Sequence, residues 1–392
     1  MPLPLNPDMA ATDAPAVMEA FRWLDAATFT DDKPLINVSQ AAPALPPPEP
    51  LRQAMADIIL NDTSAHLYGP DLGLPELRAE LAAQSGSLYN GQISADQVAI
   101  TAGCNQAYSA AIATLAQAGD EIILPSPWYF NHNMWLQMSG ITTVPLTAGA
   151  DLLPDPAKAA ALITAKTRAI VLVSPNNPCG VEYPADLMQA FFDLAQSRGI
   201  ALIVDETYRD FHAQSGAPHG LFENPDWAET LIQLYSFSKA YRLTGHRVGA
   251  IIASADRLAQ VEKYIDSTTI CPNQIGQRAA LWGMQHLDEW LAVERAEILD
   301  RRAAITEAFD NLLGWTLLGV GAYFAYVEHP FDIASDELAK HLVMNEAILA
   351  LPGTMFTPAG DPAGKRAIRF AFANIDRAGI SNLFDRLQNL SL

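Results

Sequence analysis

Cysteine is scarce in this chain. There are three among 392 residues (Cys104, Cys179 and Cys271), widely spaced and without a C-x-x-C pair. Such a count argues against a disulfide framework and fits reduced thiols in a cytoplasmic setting. None of the eight histidines belongs to an H-E-x-x-H element, so no metal-ligand cluster is expected. Basic residues are few as well: 24 Lys and Arg stand against 44 Asp and Glu, a formal net charge of −20. Nucleic-acid phosphates and anionic membrane surfaces would be repelled, and the acidity itself reads as solubility. Apolar runs such as 169–173 are far too short to span a bilayer. The start, Met1-Pro2-Leu3-Pro4, lacks the basic opening and long apolar core of a signal peptide. Internal repeats and low-complexity tracts are missing too.

What the chain does have is length and apolar content. With half its residues apolar, it can build a large core and two sizeable domains. A Pro-rich stretch at 43–50 marks an extended crossing segment. From about Gln97 onward, short β-rich runs alternate with helix-length stretches. Strands are expected at 98–101, 121–124, 142–146, 168–173, 201–205, 231–235 and 248–253, and an amphipathic helix at 185–197 before Gly199. This alternation implies βαβ units and a mostly parallel sheet covered on both faces, with function at the carboxyl ends of its strands. A helical run over 288–313 leads into a smaller part, with strands expected at 323–327, 347–351 and 367–372.

The most informative element is Ser236-Phe237-Ser238-Lys239, followed by Arg247 in Gly245-His246-Arg247-Val248-Gly249. Most lysines are solvated surface charges. This one ends an apolar β-type run, where partial desolvation lowers its pKa and makes its amine a usable nucleophile. Ser236 and Ser238 offer hydroxyls, and Arg247 offers a planar fork suited to phosphate. An amine beside a phosphate cradle is what pyridoxal 5′-phosphate requires. Ala201–Asp205 is an apolar strand ending in a carboxylate, followed by Glu206-Thr207-Tyr208. On its own such an acid is most often a helix cap. Ser174-Pro175-Asn176-Asn177-Pro178-Cys179-Gly180 is on its own a turn. Thr101-Ala102-Gly103-Cys104-Asn105 is a strand–helix junction whose free N–H groups attract anions. Arg369, within the β-pattern 367–372, is the kind of arginine that needs an anion partner.

Taken in order and spacing, these elements resemble the aspartate-aminotransferase superfamily, the fold-type I, class I/II pyridoxal-phosphate enzymes. The resemblance runs from about Ile36 to Asn374. It implies a large domain (46–290) holding the cofactor on a mostly parallel seven-stranded sheet. It also implies a smaller α+β domain made of the amino-terminal arm (1–45) and residues 291–392. It assigns the aldimine lysine to Lys239, the pyridine-nitrogen partner to Asp205, and contacts to the phenolic oxygen to Tyr208 and Asn177. Phosphate contacts fall to Gly103, Cys104, Asn105, Ser236, Ser238 and Arg247, and ring stacking to Tyr129. Arg369 would clamp the substrate carboxylate, with Asn177 and Ala41 also at the substrate. Tyr68, in Leu67-Tyr68-Gly69-Pro70-Asp71-Leu72-Gly73, would reach the phosphate of a neighbouring subunit, which implies a homodimer with shared sites.

The activity implied is ping-pong transfer of an amino group from an α-amino acid to a 2-oxo acid. The alternative is a carbon–sulfur β-lyase on the same fold; a non-catalytic, cofactor-binding regulator is disfavoured by the complete residue set. Departures from the family pattern are Cys179 for a threonine, His132 where tyrosine is frequent, Arg242 three residues after the lysine, and Ala41-Ala42-Pro43 for a glycine-containing loop. Trp128, Tyr129 and Trp135 hint at an apolar or aromatic substrate side chain, the alternative being that they simply stack or fill core.

Overall fold

The computed structural model describes residues 3–43 and 45–390. Met1, Pro2 and Ala44, which the reading of the amino terminus and the crossing segment touched, lie outside them, as do Ser391 and Leu392.

Seven strands form the main sheet. Their spatial order is Val98–Thr101, Gly249–Ile252, Leu231–Ser236, Ala201–Asp205, Thr167–Val173, Glu121–Ser126 and Thr142–Thr147. Five of them run parallel in a block, while Gly249–Ile252 is antiparallel to both of its neighbours. The inner strands are apolar at nearly every position rather than alternating, and each is buried along its length. That is the signature of strands covered by helices on both faces. Edge strand Thr142–Thr147 is mostly unburied. The helix Ala185–Arg198 ends on Gly199 in the left-handed region at φ +62, where glycine carries no Cβ penalty.

A second, four-stranded antiparallel sheet has the order Leu351–Pro352, Ala367–Phe370, Phe324–Glu328, Thr316–Gly321. Between the sheets runs the 23-residue helix Asp288–Asp310. The arm packs on this smaller unit. Ile36–Asn37 pairs in parallel with Ile348–Leu349, and Ala16, Ala20 and Trp23 of helix Ala16–Trp23 enter its core.

Several expectations need correction. Helix Glu49–Asn61 begins inside the Pro-rich stretch, because a proline in the first turn costs no hydrogen bond. The strand expected at 347–351 is split into two short pieces that join different sheets. Strand Thr316–Gly321 and the arm strand Ile36–Asn37 were not anticipated.

Candidate active site

The sheet gathers its chemistry at one edge. Asp205 and Ser236 are the last residues of their strands, the Asn176–Asn177 loop follows Thr167–Val173, and Gly103 follows Val98–Thr101. The reversed strand Gly249–Ile252 starts at that same edge, opposite Thr101 and Ser236, so Arg247 just before it arrives there too. A cavity of about 540 Å³ opens at this edge. It is lined by Ala41, Cys104, Asn105, Tyr129, Asn177, Asp205, Tyr208, Ser236, Ser238, Lys239, Arg247 and Arg369. Gly103 lies against Arg247: a Cβ there would come 2.2 Å from Nη2, on a backbone at φ +83. Tyr68, assigned to a neighbour's phosphate, stands away from the cavity and is 79% exposed.

Lys239 Nζ donates to the carbonyl oxygen of Ala41, and it lies 5.9 Å from the ring centroids of Tyr208 and Tyr323. Burial, then the charges of Arg247 and Arg369, lower its pKa to about 7. Asp205 is buried, whereas Lys239 is partly so. Burial pushes its carboxyl up, but His132 at 3.2 Å and hydrogen bonds from Thr207, whose N–H is 3.0 Å away, outweigh that and hold it below the usual range. His132 is itself fixed by stacking on Tyr108, ring centroids 4.0 Å apart.

Arg369 sits in the second sheet, 2% exposed, between Phe324 and Phe356. Its Nη1 donates to Asn177 Oδ1 at 2.8 Å and its Nη2 to the Ser39 carbonyl, while Nε has no partner. Burial lowers its pKa to about 10. The two asparagines of the loop are distinct. Asn176 holds the loop together, its Oδ1 accepting from the Cys179 N–H at 3.0 Å and its Nδ2 donating to Tyr183 at 3.1 Å; Asn177 faces the cavity.

The residues present fit pyridoxal phosphate. Its aldehyde needs a neutral amine, supplied by Lys239. Its ring nitrogen needs an ionised acid, supplied by Asp205. Its phosphate needs a cation and free N–H groups, supplied by Arg247 and by the start of helix Cys104–Ala113. Ser236 Oγ also accepts from the Ser238 N–H at 3.2 Å, which orients the turn leading to Lys239.

Sequence reasoning missed several residues. His132 was noted only as a departure from a tyrosine, yet it touches Asp205; Thr207, two residues along the chain, could have been found as a local turn partner. Pro15, Val17, Met18 and Phe21 of the arm line the cavity, and no linear motif announces them. Conversely, Trp128 is buried in a core cluster and Trp135 packs against it, so only Tyr129 of that aromatic trio lines the cavity. Arg242 also finds its explanation. It donates to Glu294 at 3.0 and 2.5 Å and to the Pro46 carbonyl at 3.2 Å, tying the lysine loop to the long helix and the crossing segment.

Comparison with known proteins agrees with this geometry. The family model described as aminotransferase class I and II matches residues 33–387. The aromatic aminotransferase ISS1 of Arabidopsis thaliana is 28% identical over 329 residues, covering 81% of each chain. The aspartate aminotransferase of Thermotoga maritima is 26% identical over 360 residues, covering 91% of each. Among solved structures, YbdL of Escherichia coli, titled for a methionine aminotransferase function, superposes with a TM-score of 0.88 at 24% identity over 99% of this chain and all of that one. The lyase alternative is not favoured by these relatives.

Proposed function

Because the chain belongs to the aminotransferase class I and II family, pyridoxal-phosphate enzymes of transamination, we propose that Lys239, Asp205, Tyr208 and Arg369 carry that reaction here. The substrates are an α-amino acid and a 2-oxo acid. The observation that carries the residue assignment is the buried Lys239 amine, lowered to about pH 7 between two arginines in the cavity.

Pyridoxal phosphate, when bound, supplies the aldehyde and the electron sink. Lys239 would hold the aldehyde covalently and, when free, its Nζ would take the proton from the substrate Cα and deliver it to the cofactor's former aldehyde carbon. Its lowered pKa supports this role, since a base titrating near neutrality is deprotonated when needed. Asp205, kept ionised by His132 and Thr207, would face the ring nitrogen and keep it protonated. Tyr208 and Asn177 would hold the phenolic oxygen, and Tyr129 would cover the ring. Gly103, Cys104, Asn105, Ser236, Ser238 and Arg247 would hold the phosphate. Arg369 would bind the substrate carboxylate, a role supported by its unpaired Nε; Asn177 and Ala41 border the same place.

A homodimer with shared sites belongs to the same reading. Its support is the exposed apolar stretch of Ile59, Leu60, Leu67 and Tyr68, which a second copy would cover. Residues 46–290 are taken as the cofactor-binding domain, with 1–45 and 291–392 as the second, in keeping with the two separate sheets. A cytoplasmic setting is consistent with the free Cys104, Cys179 and Cys271.

The test is Lys239→Ala. Turnover and the borohydride-trappable link to the cofactor should both vanish. A trapped adduct on another lysine would refute the assignment.

A further inference from the structure

Alternation along the central strands sorts their side chains onto two faces. In Ala201–Asp205, Leu202 and Val204 enter one core cluster, Ala201 and Ile203 another. In Leu231–Ser236, Leu231 and Tyr235 join the first cluster, Ile232 and Leu234 the second. Asp205 continues the second set, on the side of His132 and Tyr108. Glu206 turns to the first, 1% exposed and no part of the cavity wall.

There its Oε2 accepts from the Tyr89 hydroxyl at 2.7 Å and from the Gln233 amide, and His219 Nε2 lies 3.4 Å away. The Leu221 N–H donates to His219 Nδ1 at 3.3 Å, so the neutral ring carries its proton on the nitrogen that faces Glu206. Tyr89 stacks on His219, ring centroids 4.7 Å apart. One carboxylate thus joins the end of helix Pro75–Leu88, strand Leu231–Ser236 and the loop around His219. Tyr89, Gln233 and His219 are all buried, so this cluster is complete within one chain. The Glu206 backbone is held too, its N–H donating to the Leu234 carbonyl at 2.9 Å. Its chain neighbours are Asp205 and Thr207, the residue whose N–H meets Asp205 Oδ1 at 3.0 Å.

We infer that Glu206 is a positioning residue for Asp205: anchored on the hidden face of the sheet, it fixes the direction in which Asp205 meets the ring nitrogen of the cofactor. The inference rests on the transaminase reading and adds to it a residue that touches neither cofactor nor substrate. Removing the anchor leaves buried donors unpaired, and residues 205–207 must shift to relieve them. A displacement of about 1 Å in a group of this kind can cost two orders of magnitude in rate.

A double-mutant cycle on the full chain tests this. The readouts are the dissociation constant of pyridoxal phosphate, titrated by intrinsic fluorescence, and the visible dichroism of the bound cofactor. Glu206→Ala should raise that constant roughly fivefold or more and reduce the dichroism. In the Asp205→Ala background the same change should move the constant by no more than about twofold, because the group it positions is gone. Glu206→Gln keeps an oxygen for the surrounding donors and should recover most of the affinity. Equal losses in the two backgrounds would show a role in stability alone, and folded Glu206→Ala binding as tightly as the parent would show no role. Either result overturns the inference. Should Glu206→Ala not fold, Tyr89→Phe and Gln233→Leu, each lacking one donor, take its place in the cycle. At least one should loosen the cofactor about threefold where Asp205 is present and leave it unmoved where Asp205 is replaced. Any other pattern overturns the inference as well. Asp205→Ala holding the cofactor as tightly as the parent would instead overturn the assignment of Asp205 within the transaminase reading.

Discussion

The Arg369 guanidinium meets the Asn177 side-chain oxygen at 2.8 Å, so a cation buried in the smaller sheet is held by a neutral acceptor from the main one. No acid pairs with it among the described residues; its second partner is the Ser39 carbonyl, and Nε has none. An uncompensated buried guanidinium is a receptor for a carboxylate.

Arg369→Lys should therefore weaken binding of the amino donor by roughly 10- to 100-fold, because an ammonium keeps the charge but loses the paired planar contact. The bound-cofactor spectrum should stay as it is. Titration of the half-reaction against donor concentration checks both, and an unchanged apparent affinity would assign the carboxylate to another residue.

Lys239 should titrate unusually low. Burial and two neighbouring arginines bring its pKa to about 7, so the neutral, nucleophilic amine accumulates as pH rises through 7 rather than through 10. In the cofactor-free protein, labelling of Lys239 by an amine-directed reagent should climb through that range and be flat by about pH 8.5. Replacing Arg369 with methionine removes one repelling charge and should shift the midpoint upward. Peptide mass spectrometry across a pH series measures both.

Asp205→Ala should slow loss of the substrate Cα proton by roughly 10²- to 10³-fold and loosen the cofactor, as removal of one preorganised electrostatic partner does elsewhere. His132→Phe keeps a ring against Tyr108 but frees Asp205 from the partner that lowers its pKa. Its carboxyl should then protonate at higher pH, moving the acid limb of the half-reaction profile up. A profile superimposable on that of the parent would show that His132 only fills space.

If Tyr68 acts in a neighbour's site, two silent proteins should complement one another. A heterodimer of Lys239→Ala with Tyr68→Ala has one site bearing both defects and one bearing neither. Subunit exchange should return up to roughly a quarter of the parent activity. The experiment requires that Tyr68→Ala be inactive by itself. Complete exchange with no recovery, or a fully active monomer, would remove Tyr68 from the site.

Lys239, Asp205, Asn177, Arg247 and Gly103 were legible in the sequence because each sits at or within a few residues of the end of an apolar strand, Lys239 in the helical turn Phe237–Ala240 that follows one, and such junctions have a local signature. His132 had none: its role depends on the helix Phe130–Met138 bringing it within 3.2 Å of Asp205, 73 positions along the chain. Strand Thr316–Gly321 escaped notice because two glycines interrupt its apolar run, and a strand interior seldom carries them. The pairing of Ile36–Asn37 with Ile348–Leu349 joins segments of two residues each, too short for any periodicity to register. For the same reason the mouth of the cavity was invisible: Val17, Met18 and Phe21 acquire their setting only once the arm has docked.

That docking makes the chain's beginning and end mechanically one object. Ile36 and Ile348 are joined side by side in a parallel ladder, and Lys239 is tied to Ala41 five residues after Ile36. Tension drawn on the amino terminus would load this clasp in shear and reach the lysine through a handful of peptide bonds. An affinity tag or fusion partner attached there would tug on the reacting amine, and one on the helix Arg377–Gln388 would load the same clasp, because Arg386 of that helix donates to the Pro34 carbonyl at 2.8 Å and to the Ala347 carbonyl at 3.2 Å. Immobilising this protein by either of these ends therefore couples the surface it is fixed to with its catalyst.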